Sequence, residues 1–352
     1  MTPLAPVLAK RTTPQTPCQG CSIGMALAMD RLVLNDAAAA DWPPMAALCS
    51  AVAERVLKLL DECEHGQATM IRLIMSSERR VLSAEPRPHS SIVVTAACVS
   101  AGAGWQSALW PAVAMECAMA AANVFDDIAD GEAESLNEQF GSGAVVMGAA
   151  GLLALAAGVV LRAVDDGVAE STVPDLGRLF SEYLVHAAAG QARSLTAAPR
   201  LDPVDAYQLA AAKSGPLGSM AAQLGARLAV DDPDLLREYA TYGWHLAVFS
   251  QLLNDARDAS PSGSTDKRDV RAGAQTVPLV YVGSSGAPPE LRGESLLEWE
   301  QQERQRVASQ GGVLAAVALA QAERLRSLTV LDSLAHKGLP VELLRSLLAG
   351  PV

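Results

Sequence analysis

The sequence predicts an all-α protein, a helical bundle around a central apolar cavity. Half of its 352 residues are hydrophobic, only 4% are aromatic, and alanine dominates the long apolar runs. Alanine is the best helix former. Alternating β-branched patterns are nearly absent. Ile92 to Thr95 is the one short strand candidate, and it runs on into Ala-Ala-Cys-Val. The length suffices for one large core.

The elements follow from their punctuation. Residues 1–44 are rich in Pro, Thr and Ala, which predicts a partly flexible N-terminal tail with one helix around 23–34. Residues 45–352 form a single domain. Helical patterns run over 45–63, 66–83, 89–103, 108–130, 144–166, 174–194, 203–213, 216–229, 234–257 and 311–335, with breaks at Pro, Gly and Asp clusters. Asp165-Asp166 ends one helix before Gly167, and Gly215-Pro216 separates two others. Segments 259–275 and 283–293 read as loops, the first placed directly after an acidic run, where a mobile lid is useful. Ala144 to Leu161 has no charge and the length of a membrane span. Its alanines and glycines make it less hydrophobic than a leucine-rich span, so the expectation is a buried bundle helix without stable membrane insertion.

The formal net charge is −12, and no basic stripe is visible, which excludes a nucleic-acid partner. Of the six cysteines, Cys98 and Cys117 lie in apolar runs and read as core residues. Cys18-Gln-Gly-Cys21 is a lone CxxC, short of the four ligands of a structural zinc site. Met1 to Lys10 does not read as a secretory signal, so the expected location is cytoplasmic, with reduced thiols. His186 and His245 sit among apolar neighbours and read as core histidines. Tyr183, Trp244 and Phe249 read either as packing or as π faces on the cavity.

Two acidic clusters point to chemistry. Phe125-Asp126-Asp127-Ile128-Ala129-Asp130 and Gln251-Leu252-Leu253-Asn254-Asp255-Ala256-Arg257-Asp258 each end an apolar helix. Asp126 and Asp130 share a helical face, as do Asn254 and Asp258. Oxygens from two helices facing one cavity would hold hard cations, and these would hold a diphosphate. Mg²⁺ is commonly bound through a few carboxylates plus substrate phosphates.

These residues resemble the trans-polyprenyl diphosphate synthase family, within the class I isoprenoid synthase fold. Asp126 to Asp130 resembles its first aspartate-rich motif, and Asn254 to Asp258 its second. Gly190-Gln191, Lys213-Ser214-Gly215-Pro216-Leu217, and Asp269-Val270-Arg271 through Gln275-Thr276-Val277-Pro278 resemble three further elements in the same order. The resemblance covers about residues 80 to 285. It implies a cluster of three Mg²⁺ ions that binds an allylic isoprenyl diphosphate and draws charge onto the leaving group. Asp126, Asp130 and Asp255 would be direct ligands. Asn254, Asp258 and Asp127 would bind metal or support the ligands. Lys213 would contact the diphosphate, and Gln191 would lie in the cavity wall. Phe125, Gln251, Arg87 and Lys267 are assigned to substrate binding. The family habit implies a homodimer.

The departures matter as much. Chain-extending members carry a Gly-Lys-x-Arg-Pro element for isopentenyl diphosphate; here the stretch is Ala84-Glu85-Pro86-Arg87-Pro88. An Arg pair normally follows the first motif; here Gly131 to Asn137 contains Glu132 and Glu134 and no cation. Arg79-Arg80 are the other cations nearby. Acidic neighbours repel a second diphosphate. The favoured expectation is therefore a terpene synthase that ionises one allylic diphosphate, with a C20 chain expected from the small Ala121 and Ala122 one turn deeper in the cavity. Even so, Ser262 stands where a terpene synthase metal motif has Glu. The alternatives are a prenyltransferase and a non-catalytic partner subunit.

Overall fold

The structure is a computed structural model that describes residues 42–77, 80–84, 86, 89–131, 134–197, 200–263, 268–288 and 290–349. The N-terminal tail as far as residue 41, with its expected helix and CxxC, lies outside the described residues, as do Glu85, Arg87, Glu132 and Lys267. The described residues contain no strand, as the sequence predicts.

The helices are α1 (Met45–Glu62), α2 (His65–Met75), α3 (His89–Ser100), α4 (Leu109–Ala129), α5 (Glu134–Phe140), α6 (Ser142–Val159), α7 (Val173–Leu195), α8 (Pro203–Arg227), α9 (Pro233–Asp258), α10 (Asp269–Ala272), α11 (Val277–Tyr281), α12 (Gly293–Ser309), α13 (Gly312–His336) and α14 (Glu342–Ser346). A 3₁₀ turn leads into α4, and another extends α6 to Asp166. The strand candidate Ile92–Thr95 is helical and lies wholly within buried α3. β-Branched residues serve there because tertiary burial overrides their propensity.

Helices α8 and α9 start alike. Asp202 accepts from Asp205 N at 2.9 Å, Asp232 accepts from Asp234 N at 2.9 Å, and a proline follows each cap. This matches the preference for Asp at the cap and Pro in the first turn. From there α8 packs against α7, α3 and α9, and α9 packs against α8 and α13. The expected break at Gly215-Pro216 is absent: α8 runs through Pro216. Proline deprives the Ala212 carbonyl of its helical donor. Gly190 of α7 abuts that carbonyl so closely that a Cβ at 190 would overlap its oxygen. Gly218 and Gly243 do the same for α8 and α9, each standing where the other's Cβ would strike a carbonyl.

Glu323 of α13 pins this group. It is fully buried and accepts from the Tyr207 hydroxyl at 2.8 Å, from His245 Nδ1 at 2.7 Å and from Arg326. His245 is thus a partnered structural histidine, as expected. Phe249 is buried in the core, and Trp244 packs over Gly215.

Two helices, Trp105–Ala129 and Ser142–Asp166, are long and apolar enough to cross a membrane. The apolar window of the first is 78% buried in the bundle. That of the second is only 39% buried, which corrects the expectation of a buried helix. One face of α6 packs on α4, while Met147 is 69% exposed on another.

The Gly218–Gly243 contact yields a stability prediction. Gly243→Ala should destabilise the protein by about 1–3 kcal/mol, the range for overpacking. Denaturant unfolding checks this; an unchanged midpoint would show that the two helices separate readily.

Candidate active site

A cavity of about 550 Å³ lies between α3, α4, α6, α7, α8 and α9. Its wall is mostly apolar. Asp126, Ala122, Met119 and Met115 line it at intervals of three and four along one face of α4, with Ala118 beside Met119. Ala121 is fully buried in the core and does not line the cavity, which corrects that assignment. The cavity meets the face of α4 that carries Ala118, Ala122, Phe125 and Asp126, and Ala121 points off it into the core. Leu153, Leu184, Leu217 and Leu246 add apolar wall, a contribution that motif spacing does not reveal.

Polar groups gather at one end. Asp126 is about one-third exposed, as is Lys213. Lys213 Nζ donates to both Asp126 oxygens, at 2.8 and 2.9 Å, and Gln191 Nε2 donates to Asp126 Oδ1 at 2.6 Å. The Gly190–Ala212 contact sets this geometry, because it fixes α7 against α8 beside Lys213. Gln191 Oε1 is buried without a hydrogen-bond partner among the described residues. Phe125, Gln251 and Asn254 also line the cavity, and Arg257 donates to Asn254 Oδ1 at 3.2 Å.

Asp255 lies behind that surface, 6% exposed. Gln251 Nε2 donates to it at 2.8 Å, while Gln251 Oε1 accepts from Ser214 at 3.0 Å, tying α9 to α8. Burial pushes the Asp255 carboxyl up to about 7; the charges of Asp269 and Asp258 push the same way, and Gln251 and Lys213 oppose them. Asp258 ends α9 half-buried. Asp130 is the exposed C-cap of α4.

Asp127 turns from the cavity toward Arg80, a residue the sequence marked only as a nearby cation. Burial lowers the Arg80 pKa, while Glu116 and Asp127 oppose that shift by holding its charge. Glu116 is fully buried and accepts from Ser91 N and Oγ at 2.8 and 3.0 Å. With the Asn123 amide nitrogen turned to the Met119 carbonyl, its oxygen accepts from Arg80. Arg80 therefore backs the first cluster from outside the cavity.

Among the described residues, no three acidic, histidine or cysteine side chains converge into a cage that could hold a metal alone. Asp126 is instead balanced by Lys213. The donor set still fits a hard cation completed by phosphate oxygens and water, since Mg²⁺ is usually bound that way. Burial first, and then the neighbouring charges of Asp269 and Asp258, disfavour the ionised form of Asp255, a cost that a bound cation would offset.

A helical bundle with acidic helix ends and a lysine at the polar end of an apolar cavity defines a class I isoprenoid synthase fold. Residues 83–310 match the family model described as polyprenyl synthetase, and the chain belongs to that family. Its fold is similar to a geranylgeranyl pyrophosphate synthase (TM-score 0.75, 16% identity, 88% of this chain and 100% of that one). It is also similar to a polyprenyl synthetase from Streptomyces coelicolor (TM-score 0.70, 18% identity, 87% and 99% covered). A third likeness is a polyprenyl synthase from Caulobacter crescentus (TM-score 0.62, 20% identity, 84% and 94% covered). No curated protein matches the chain in sequence.

The buried Asp255 gives a pH prediction. Its folded pKa exceeds its unfolded one, so it favours folding at low pH, and that contribution is lost as pH rises from about 4 through 7. Asp255→Asn cannot ionise. In EDTA it should melt above the native chain at pH 8, with the advantage shrinking below pH 7 and levelling off near pH 4. Equal pH dependence of the two melting curves would show that Asp255 is not desolvated.

Proposed function

We propose that the protein is a Mg²⁺-dependent prenyltransferase acting on an allylic isoprenyl diphosphate. The observation that carries this is the Asp126–Lys213–Gln191 group at the polar end of an apolar cavity. Lys213 would hold diphosphate oxygens as a point charge. Gln191 orients Asp126 through its amide. The methionine, leucine and alanine wall excludes water from a reactive allylic cation. Asp126, Asp130, Asn254, Asp255 and Asp258 would hold Mg²⁺, which when bound acts as a Lewis acid on the leaving diphosphate. The Caulobacter crescentus enzyme was obtained in complex with calcium and isoprenyl diphosphate, which supports this pairing of cation and diphosphate.

The cyclase favoured by the sequence gains no support from the comparisons, whose similar structures are prenyl diphosphate synthases. One observation keeps it as a second reading: residues 131–137 contain no cation. Incubation with Mg²⁺ and geranyl, farnesyl or geranylgeranyl diphosphate, with and without isopentenyl diphosphate, separates the two. The expected result is a longer diphosphate that forms only with isopentenyl diphosphate. Hydrocarbon from a single substrate would establish the cyclase instead, and silence throughout would point to a partner subunit. In the same assay Asp126→Ala should lose on the order of 10² to 10⁴ in rate.

The protein would act as a homodimer joined through α6. Met147 and Leu161 are exposed there, on a helix without charge from 144 to 161. Sedimentation should give a dimer that Met147→Asp with Leu161→Asp converts to monomer; a native monomer would refute the pairing.

A further inference from the structure

Helix α12 lies outside the cavity wall yet holds two pieces of its acidic end. Glu300 and Arg304, one turn apart, are each 1% exposed. Arg304 Nη2 donates to Glu300 Oε1 at 2.8 Å, and its Nη1 donates to the Ser260 carbonyl at 3.4 Å, just beyond the end of α9. Gly263 packs so tightly here that a Cβ would strike both this guanidinium and the Arg257 and Asp258 carbonyls. A cation thus sits at the negative end of the α9 dipole, the end that carries Asn254, Asp255 and Asp258. The other Glu300 oxygen, Oε2, accepts from Arg271 Nε at 2.9 Å. Arg271 belongs to α10, two residues from Asp269. One carboxylate therefore links the end of α9 to α10.

Stability alone is a weak reason for this arrangement. Apolar residues of similar volume often replace a buried ion pair at no cost in stability. We propose that Glu300 and Arg304 are positioning residues for the cation-binding end of the cavity: through Ser260 and Arg271 they hold α9 and α10 in one fixed relation, and with them Asp255, Asp258 and Asp269. This rests on reading the acidic clusters as a divalent-cation and diphosphate site.

Two variants test it. Glu300→Gln keeps an acceptor for Arg304 but removes its counter-charge, and it turns an amide N–H toward Arg271, cutting that link. The double variant Glu300→Leu with Arg304→Met replaces the pair by apolar volume. The readouts are thermal melting, Mn²⁺ binding in the presence of inorganic diphosphate by paramagnetic resonance, and the Mg²⁺ dependence of turnover. The double variant should keep its melting temperature within a few degrees, while Glu300→Gln, which leaves Arg304 buried beside a neutral amide, should melt lower and still fold. Mn²⁺ affinity should fall by up to about 10-fold, less than the ~10- to 100-fold lost when a group bonded directly to a ligand is removed, because the pair acts through Ser260 and Arg271. Half-saturating Mg²⁺ should rise in parallel, with kcat at saturating Mg²⁺ near native. If either variant fails to fold, the other decides. A folded variant with native Mn²⁺ affinity overturns the positioning role while leaving the site reading intact. A native protein that binds no Mn²⁺ with diphosphate overturns both.

Discussion

The site depends on how closely α8 approaches its neighbours. Gln191 and Lys213 meet on Asp126 because Gly190 lets α7 rest on the Ala212 carbonyl beside Lys213, and Gln251, already one turn from Asp255 on α9, reaches Ser214 because Gly218 and Gly243 let α9 lie against α8. Interiors pack at crystal-like density and leave no slack for an added methyl at such a crossing. The alanine and glycine that thin out this sequence therefore set distances between charged groups.

Much of this was legible in the sequence. The acidic runs mark helix ends, and Asp202-Pro203 and Asp232-Pro233 mark helix starts, because cap chemistry is local. Lys213 and Gln191 both line the cavity and bond to Asp126. Less legible was anything decided by another helix. Pro216 reads as a break, yet α8 runs through it, packed against α3, α7 and α9 along its length. Ala121 and Ala122 are chemically identical, and only their phase about α4 assigns one to the core and the other to the cavity. Helix α12 escapes a search for apolar periodicity because its buried face is Glu300, Glu303, Arg304 and Val307. Its inward stripe is ionic, so its pattern resembles a solvated helix.

Burial divides the acids into kinds. Asp126 stays partly in water and is balanced at once by a lysine. Asp255 is desolvated and crowded by Asp258 and Asp269, so its proton is hard to remove. Asp127 faces Arg80 and Glu116 on the far side of α4. Identical side chains in two short motifs thus meet three different environments, and burial in low dielectric disfavours the charged form while a nearby opposite charge restores it.

The ion pair between Lys213 and Asp126 has a thermodynamic consequence of its own. An anion that draws the ammonium away leaves the carboxylate in need of a new cation. A cation that settles on the carboxylate frees the ammonium for an anion. Each arrival lowers the cost of the other, and the coupling is reciprocal by linkage. If the cavity takes both a cation and an anion, the ion pair between Lys213 and Asp126 would couple their binding without any change of fold.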